Sequence, residues 1–163
     1  PTSTKLKHKL LIAGDGPQRD YLVGLSRKLN IQEIKFLGYI PENEKANLLS
    51  CARVACFPSL FGESFGIVLL EAMAAGSGVV LAGSNPGYKS VMAEMQEQIV
   101  DPKNTQEFTT KLNRYLSDDK IAQSAQVRQS EYVVQFSSDM VAKRIIAVYY
   151  SAIDKLSKKR HTN

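Results

Sequence analysis

Short apolar runs bounded by glycine or proline alternate with amphipathic segments through the first hundred residues, and this rhythm constrains the fold most strongly. Five runs predict strands, over residues 9–14 (KLLIAG), 34–38 (IKFLG), 54–58 (VACFP), 79–82 (VVLA) and 98–100. The middle three are apolar and bounded by Gly or Pro, as is typical of buried parallel strands. The segments between them predict helices, over residues 17–29, 42–52 and 66–75. This order predicts an α/β fold with a Rossmann-like parallel sheet flanked by helices.

The chain becomes helical after Pro102. The apolar spacing predicts helices over residues 105–116, around 121–136 and over 138–156. In the last of these, apolar side chains recur at helical spacing at Met140, Val141, Ile145, Val148, Tyr149, Ala152 and Ile153. We expect this stripe to face the core rather than a membrane or a partner helix. Residues 1–163 are expected to form one domain with a helical C-terminal extension.

Charge and rare residue types narrow the function. The chain has 21 Lys and Arg against 16 Asp and Glu, a net charge of +5, which favours an anionic partner. The dense basic run at residues 158–160 is read as a solvated tail, with anionic lipid headgroups as the open alternative and no indication of nucleic acid. The two histidines, His8 and His161, lie near the chain ends, which argues against a catalytic triad or a histidine metal site inside the fold. Cys51 and Cys56 are expected to be reduced and buried, as in a cytosolic protein.

Four loops rich in glycine, proline and serine follow predicted strands, at residues 14–17 (GDGP), 38–41 (GYIP), 58–66 (PSLFGESFG) and 83–87 (GSNPG). Because ligands of open parallel sheets bind at the carboxyl ends of the strands, these loops predict a phosphate-containing ligand. Gly14 and Gly16 begin a dinucleotide-binding pattern that fails at its third glycine, where Arg19 stands. Two interpretations stay open here: a tight turn with Asp15 near the helix cap, or a close approach of the backbone to a ligand.

The segment over residues 62–76, GESFGIVLLEAMAAG, carries the most chemistry. Its helix is apolar on every face except at Glu71, which predicts a buried helix whose carboxylate must meet hydrogen-bond donors. A ribose diol and an internal Lys or Arg remain alternative partners. Glu63 stands eight residues earlier, and Ser64 is expected to cap the helix. The first backbone amides of the helix would then be free for an anion or a sugar hydroxyl.

The pair Glu63 and Glu71 within ESFGIVLLEAMAAG resembles the EX7E motif of glycosyltransferase family 4, which has the two-domain GT-B fold. The turn at residues 14–17, the strand end at 36–41 and Pro58-Ser59 match further motifs of that family in order. The segment is especially similar to the lipid-directed mannosyltransferases that act on phosphatidylinositol and take GDP-mannose. The resemblance implies the C-terminal, donor-binding half of a retaining hexosyltransferase, with mannose favoured and a lipid such as phosphatidylinositol as the candidate acceptor. Two alternatives stay open: a UDP-sugar-dependent glycosyltransferase of polysaccharide or glycolipid synthesis, and a non-catalytic nucleotide-binding Rossmann-like module.

The resemblance also implies roles for individual residues. Glu63 would contact hydroxyls of the donor sugar, and it is the candidate catalytic residue. Glu71 would bind the ribose hydroxyls. The remaining donor-binding candidates are Gly14, Gly16, Tyr39, Ile40, Ser64, Phe65, Gly66, Ile67 and Val68.

Within that set, the family implies three kinds of contact. The backbone amides of Phe65 and Gly66 would meet the sugar, and those of Ile67 and Val68 would lie near the diphosphate. The segment after the second strand, residues 39–40, would line the base pocket. No metal and no cofactor besides the nucleotide-sugar are expected, in agreement with the absence of an Asp-x-Asp motif.

The sequence also departs from the family pattern. The strand and helix that carry an Arg and a Lys for the diphosphate are not found in it, and residues 1–7 are interpreted as the end of that helix. We therefore expect a fragment that lacks this strand and the N-terminal acceptor domain and is inactive in transfer by itself. Residues 85–89 (NPGYK) replace the usual Gly-Gly-x-Pro-Glu loop, so its acidic residue has no counterpart. The expected location is cytoplasmic, with peripheral contact at the inner face of the membrane left open.

Two rival enzyme classes fit less well. A nicotinamide-dependent oxidoreductase predicts a glycine at position 19 and an acidic residue closing the strand at 34–38, and the sequence has neither. A GT-B-shaped epimerase would need acid–base residues, for which an interior without histidine is a poor match.

Overall fold

The structure is a computed structural model that describes the backbone of residues 8–160 and the side chains of residues 8–155. The predicted helix end at residues 1–7 therefore lies outside the described residues, as does His161. The chain divides into two compact units, Pro1–Lys45 and Ala46–Asn163.

The first unit contains two parallel strands joined through a helix. They are β1 (Leu10–Ala13), α1 (Arg19–Lys28) and β2 (Ile34–Gly38). Leu10 pairs with Ile34, and a register shift after Ile12 places Ala13 opposite Gly38. Among residues 8–45 only Ser26 is buried, since a two-stranded sheet with one helix offers little surface to cover apolar side chains. The next helix, α2 (Glu42–Ser50), begins in this unit and ends in the second.

The second unit is built on a three-stranded parallel sheet. The strands are β3 (Val54–Phe57), β4 (Val79–Gly83) and β5 (Ile99–Val100), in the order β3-β4-β5. The helices are α3 (Ile67–Ala74), α4 (Pro86–Val91), α5 (Thr105–Ser117), α6 (Asp119–Val133) and α7 (Ser138–Arg160), with 3-10 turns at Gln96–Gln98 and Val134–Phe136.

Strand β4 is the centre of the second unit. All of its residues are buried, and its side chains alternate between two apolar clusters. Val79 and Leu81 belong to the cluster that contains Tyr115, whereas Val80 and Ala82 belong to the cluster that contains Leu69. A strand covered on both faces has no polar face, which explains the unbroken apolar sequence VVLAG.

The predicted elements are confirmed with shifts of a few residues at their ends. Every strand pair is parallel, and helices follow the strands in the predicted order. The helix that the sequence prediction missed is α4. Its signal was present, because Asn85 followed by Pro86 is a good helix start: the Asn85 side chain accepts from the Tyr88 N–H, and Pro86 stands in the first turn.

The expectation that the apolar stripe of α7 faces the core is wrong. Its side chains are exposed, with 69% of Val148, 67% of Tyr149 and 61% of Ile153 open to solvent. Helical periodicity is correct for this segment, but no element among residues 8–155 covers its apolar face. Helical periodicity predicts that a helix has an apolar face, but it does not predict which element, if any, covers that face.

The expected burial of the two cysteines is also wrong. Both Cys51 and Cys56 are free and exposed. Cys51 follows the end of α2, and Cys56 lies on β3, which has a described strand partner only on its β4 side. The surrounding protein still desolvates the Cys56 thiol, which raises its pKa to about 11 and keeps it protonated at neutral pH.

Candidate functional site

Four predicted residues lie at the carboxyl edge of the first unit's sheet. Gly14 follows β1 with φ +120°, a conformation that favours glycine, and its N–H donates to the Gly38 carbonyl at 2.7 Å. Gly16 lies in the same turn, where its N–H donates to the Asp15 carboxylate at 2.9 Å. Tyr39 and Ile40 follow β2, Tyr39 being exposed and Ile40 half-buried. The parallel pairing of β1 with β2 thus brings the GDGP and GYIP loops to one edge.

Asp15 does not cap α1. The N-cap is Gln18, which makes no side-chain capping bond, and Asp15 is engaged instead by the Gly16 N–H. The backbone thus forms a tight turn in which Asp15 stands three residues before the N-cap, and the approach of this backbone to a ligand stays a prediction.

In the second unit, the loop over residues 58–66 leaves the carboxyl end of β3 and is held by the start of α4. Asn85 donates through Nδ2 to the Ser59 carbonyl at 3.0 Å, while its Oδ1 accepts from the Tyr88 N–H at 2.9 Å. Gly87 lies against the far part of the same loop: a Cβ at this position would stand 2.2 Å from the Glu63 carbonyl oxygen. The absence of a side chain at Gly87 lets the two backbones touch.

Tyr88 contacts two residues of the loop over residues 58–66, Glu63 and Gly66. Because it carries Glu63, we call this loop the acidic loop. Its ring lies against Gly66, where an added Cβ would stand 2.6 Å from the Tyr88 Cδ1. Its hydroxyl donates to Oε1 of Glu63 at 3.2 Å. Tyr88 is only 2% exposed, and burial, followed by the charge and hydrogen bond of Glu63, raises its pKa to about 12. The phenol therefore stays protonated and remains a donor across the physiological range.

Glu71 lies on the more open side of α3. The buried stripe of that helix is Leu69, Ala72 and Met73, whereas Ile67 is 65% exposed and Glu71, one turn later, is half-buried. The expectation of a helix buried on every face is therefore wrong. Glu71 shares its side of the helix with an exposed residue, so a ligand can reach that side without opening the core.

Ser64 does not cap α3, contrary to the sequence prediction. The N-cap is Gly66 with φ +110° and ψ +48°, and it makes no side-chain capping bond. Because the chain enters the helix through a left-handed residue, Ser64 falls before the cap and stays exposed. Among the described residues, no acceptor bonds the N–H groups of Ile67 and Val68, which belong to the first helical turn.

Aromatic contacts fix the rest of the loop. The Phe65 ring meets Phe136 edge-on at 6.1 Å between centroids, and Phe136 in turn packs against Tyr132 at 5.3 Å. Phe61 is 75% exposed, and the Lys103 ammonium lies 5.8 Å from its ring centroid. The Phe65 ring thus packs against the protein on one edge, while 39% of the residue remains exposed.

Within residues 8–155 no group of three His, Cys, Asp or Glu side chains is arranged to hold a metal ion.

An open cleft of about 300 Å³ lies between α5 and α6, beside the Arg128–Glu97 ion pair, and contains none of the predicted residues. We place the candidate site at residues 58–71 rather than in that cleft, because only the former lies at the carboxyl edge of the sheet.

Sequence reasoning missed Asn85 and Tyr88. The Asn-Pro pair signalled a helix start, but no local pattern indicates that a tyrosine 25 residues after Glu63 bonds its carboxylate. That contact exists because β3 and β4 are adjacent, which brings the loops after them together.

The family to which this chain belongs is identified by comparison with known proteins. The family model described as "Glycosyl transferases group 1" matches residues 2–158. The chain belongs to this family. The predicted resemblance to glycosyltransferase family 4 is confirmed.

Two relatives place the chain within the group 1 glycosyltransferases. An uncharacterized glycosyltransferase from Methanocaldococcus jannaschii is 34% identical over 155 residues, which is 92% of this chain and 39% of that protein. A phosphatidyl-myo-inositol mannosyltransferase from Mycolicibacterium smegmatis is 36% identical over 117 residues, 71% of this chain and 30% of that protein. The chain thus spans less than half the length of these curated relatives.

A solved structure of the same fold is HepE from Anabaena in complex with UDP and glucose. It superposes with a TM-score of 0.70 at 20% identity, covering 88% of this chain and 40% of that one. This likeness confirms the predicted Rossmann-like α/β architecture of the C-terminal half of a GT-B protein. No helix within residues 8–160 is both long and apolar enough to span a bilayer.

Proposed function

We propose that this chain is the donor-binding part of a retaining glycosyltransferase, and that it binds a nucleoside-diphosphate sugar along the loop at residues 58–66 and helix α3. The observation that carries the proposal is the placement of two carboxylates in one short segment of a group 1 chain. Glu63 is held by Tyr88 beside the helix start, and Glu71 lies on the accessible side of the same helix.

Each part of such a donor has a matching group. The first-turn amides of Ile67 and Val68, at the positive end of α3, suit the diphosphate. A half-buried carboxylate at Glu71 accepts from both hydroxyls of a ribose, and Glu63 accepts from a sugar hydroxyl. The amides of Phe65 and Gly66 would serve the sugar, with Ser64 beside them. The residues at the edge of the first unit, Gly14, Gly16, Tyr39 and Ile40, remain candidates for the nucleotide.

GDP-mannose is the favoured donor, with transfer of mannose and retention of its anomeric configuration. This preference is supported by the similarity to the M. smegmatis mannosyltransferase. UDP-sugars are the competing donors, and the UDP bound to HepE supports them. Neither reaction requires a metal or another cofactor in this proposal, because charge developing on the leaving diphosphate is met by helix-terminal amides and by basic residues of the whole enzyme.

The acceptor and the setting follow from the same proposal. A lipid such as phosphatidylinositol is the favoured acceptor, held by an N-terminal domain of the same enzyme. Attraction of the basic residues 158–160 to anionic headgroups would keep the cytoplasmic enzyme at the inner face of the membrane.

Saturation-transfer NMR with GDP, UDP, ADP and NAD tests the binding. We expect a selective signal from GDP or UDP that Glu71→Ala weakens about tenfold or more, since the ribose loses a charge-assisted acceptor. Glu131→Ala, on the exposed surface of α6, is the matched control and should retain the signal. Equal signals from NAD and GDP, or a signal unaffected by Glu71→Ala, would contradict the proposal.

The chain alone is expected to show no transfer. The resemblance assigns the diphosphate to an arginine and a lysine that residues 1–163 do not match, and transition-state charge would be poorly stabilised without such residues. Incubation with radiolabelled GDP-mannose and phosphatidylinositol vesicles, followed by lipid extraction, measures this. Product formed by the pure chain would overturn the expectation.

A further inference from the structure

Tyr88 is a buried residue whose hydroxyl is directed at the carboxylate of a candidate site residue, Glu63. Its ring is 2% exposed, and its hydroxyl donates to Oε1 of Glu63 at 3.2 Å. The opposite oxygen, Oε2, has no hydrogen-bond partner among the described residues. One carboxylate oxygen is thus fixed by the protein while the other is available.

The position of Tyr88 is itself fixed from three sides. Its N–H bonds the Asn85 side chain at 2.9 Å, its ring belongs to the apolar cluster around β4, and Gly66 lies against its edge. Asn85 also donates to the Ser59 carbonyl at the start of the acidic loop. The hydroxyl therefore has little freedom to move, whereas Glu63 stands on a loop and has a flexible side chain of its own.

We propose that Tyr88 is a positioning residue that orients the Glu63 carboxylate toward a hydroxyl of the donor sugar. A glutamate held in one rotamer before the ligand arrives loses less conformational entropy on binding. Because the phenol stays protonated up to strongly alkaline pH, it acts as a donor to Glu63 in both the free and the bound protein. The inference rests on the proposed function, since it assigns Tyr88 to the sugar half of that same site.

The role makes a prediction that a purely structural tyrosine would not. Glu63 is proposed to contact the sugar and not the nucleoside diphosphate. Tyr88→Phe should therefore weaken the binding of GDP-mannose or UDP-glucose roughly three- to tenfold and leave the binding of GDP or UDP unchanged. A general loss of folding would weaken the binding of nucleotides and nucleotide-sugars together.

The experiment is a double-mutant cycle on ligand binding. Dissociation constants for GDP, GDP-mannose, UDP and UDP-glucose are measured by calorimetry for the wild type, Tyr88→Phe, Glu63→Ala and the double variant. We expect Tyr88→Phe to have no further effect in the Glu63→Ala background, because Tyr88 acts through that carboxylate. Tyr115→Phe, which removes the hydroxyl of another 2%-exposed tyrosine remote from the loop at residues 58–66, is the control and should keep the preference for the sugar-bearing ligand.

Each outcome decides something. If Glu63→Ala abolishes the preference for the nucleotide-sugar and Tyr88→Phe does not, the role of Tyr88 is overturned while the proposed function stands. If the two effects add in the double variant, Tyr88 does not act through Glu63 and the inference also fails. If the wild type binds none of the four probes, the proposed function itself is overturned, and the inference with it.

Melting temperatures guard against misfolding of the variant. Should Tyr88→Phe not unfold cooperatively, Tyr88→Met replaces it, since a flexible apolar side chain fills irregular space without restoring the hydroxyl. The same loss of sugar preference is expected from Tyr88→Met, and its retention in a folded protein would contradict the inference.

Discussion

At the scale of single residues, glycines decide how closely the acidic loop approaches α4. Gly66 is the N-cap of α3, with φ +110°, and the Tyr88 ring lies against it. Gly87 has no side chain, so the Glu63 carbonyl lies in contact with its backbone. Gly66 is required for two reasons: L-residues avoid its backbone conformation, and there is no space for a Cβ beside it. At Gly87 only the lack of space for a Cβ requires glycine. The sequence contained the glycines, but their roles depend on residues that are distant along the chain.

Gly66→Ala is expected to destabilise the protein by about 2–4 kcal/mol, because alanine is strained at this φ and its Cβ collides with the Tyr88 ring. Gly24→Ala provides the matched control. Gly24 lies inside α1 with open space around it, so alanine should be neutral or stabilising by about 0.5–1 kcal/mol. Thermal unfolding measures both, and a Gly66→Ala protein as stable as the wild type would contradict the crowding at this position.

The shifted pKa of Tyr88 predicts a loss of stability at alkaline pH. The unfolded tyrosine ionises near pH 10, whereas burial and Glu63 raise the pKa to about 12 in the folded state. Between these values the folded state binds more protons than the unfolded state, so stability falls as pH rises, by about 3 kcal/mol in total. Below pH 10 this contribution is fully present.

Melting temperatures at pH 9 and pH 11 check this dependence. We expect Tyr88→Phe to reduce the alkaline loss, although Tyr115 and Tyr132, whose pKa values are also raised by burial, maintain part of it. Tyr149→Phe, at a 67% exposed position, should change nothing. An unaltered alkaline loss in Tyr88→Phe would show that Tyr88 is not desolvated as described.

At the scale of elements, two buried glutamines complete the hydrogen bonding of β4 where β5 does not reach. β5 pairs with Ala82 and Gly83. Further back along the strand, Val80 donates its N–H to Oε1 of Gln129 at 2.9 Å, and its carbonyl accepts from Nε2 of Gln98 at 2.9 Å. Gln129 also donates to the Gly78 carbonyl at 3.0 Å. Side chains from α6 and the turn before β5 thus replace a missing length of strand.

Gln129→Leu is expected to lower the free energy of unfolding by about 2–4 kcal/mol, because it leaves the Val80 N–H and the Gly78 carbonyl without their partners. Gln123→Leu, on the exposed side of α6, makes the same chemical change and should stay within about 0.5 kcal/mol. Urea denaturation followed by circular dichroism measures the difference. Equal stability of the two variants would mean that water satisfies the β4 backbone.

At the scale of the whole molecule, α7 presents an apolar face without a cover among residues 8–155. Ile145, Ile146, Val148, Tyr149 and Ile153 are each more than half exposed. Lys143, Ser151 and Asp154 are spaced to lie on the other side of the helix. A contiguous apolar face of this size favours association with another apolar surface.

The chain is therefore expected to self-associate as its concentration rises, and Ile145→Lys should weaken this by placing a charge in the apolar face. Ser151→Lys adds the same charge to the polar side and serves as the control. Sedimentation velocity over a concentration series distinguishes the two. Wild-type protein that sediments as a monomer throughout would contradict the expectation.

The sequence by itself determined the elements other than α4, the parallel pairing and the family. Those features are written in short-range patterns: apolar runs bounded by Gly or Pro, helical spacing, and the Glu63-to-Glu71 interval. The family was predicted from motifs that match the family pattern in the same order along the chain, and the family model confirms it. A local pattern suffices here because a helix is held by bonds between near neighbours, and a buried strand is marked by its short apolar run.

Only the tertiary structure decided which faces are covered and what holds the acidic loop. Periodicity places Val148 and Tyr149 on an apolar face, yet whether that face is buried depends on other elements, and here it is exposed. The bond from Tyr88 to Glu63 joins residues 25 apart, and it arises because neighbouring strands end at the same edge. Burial and such contacts are properties of packing between distant segments, which no local spacing records.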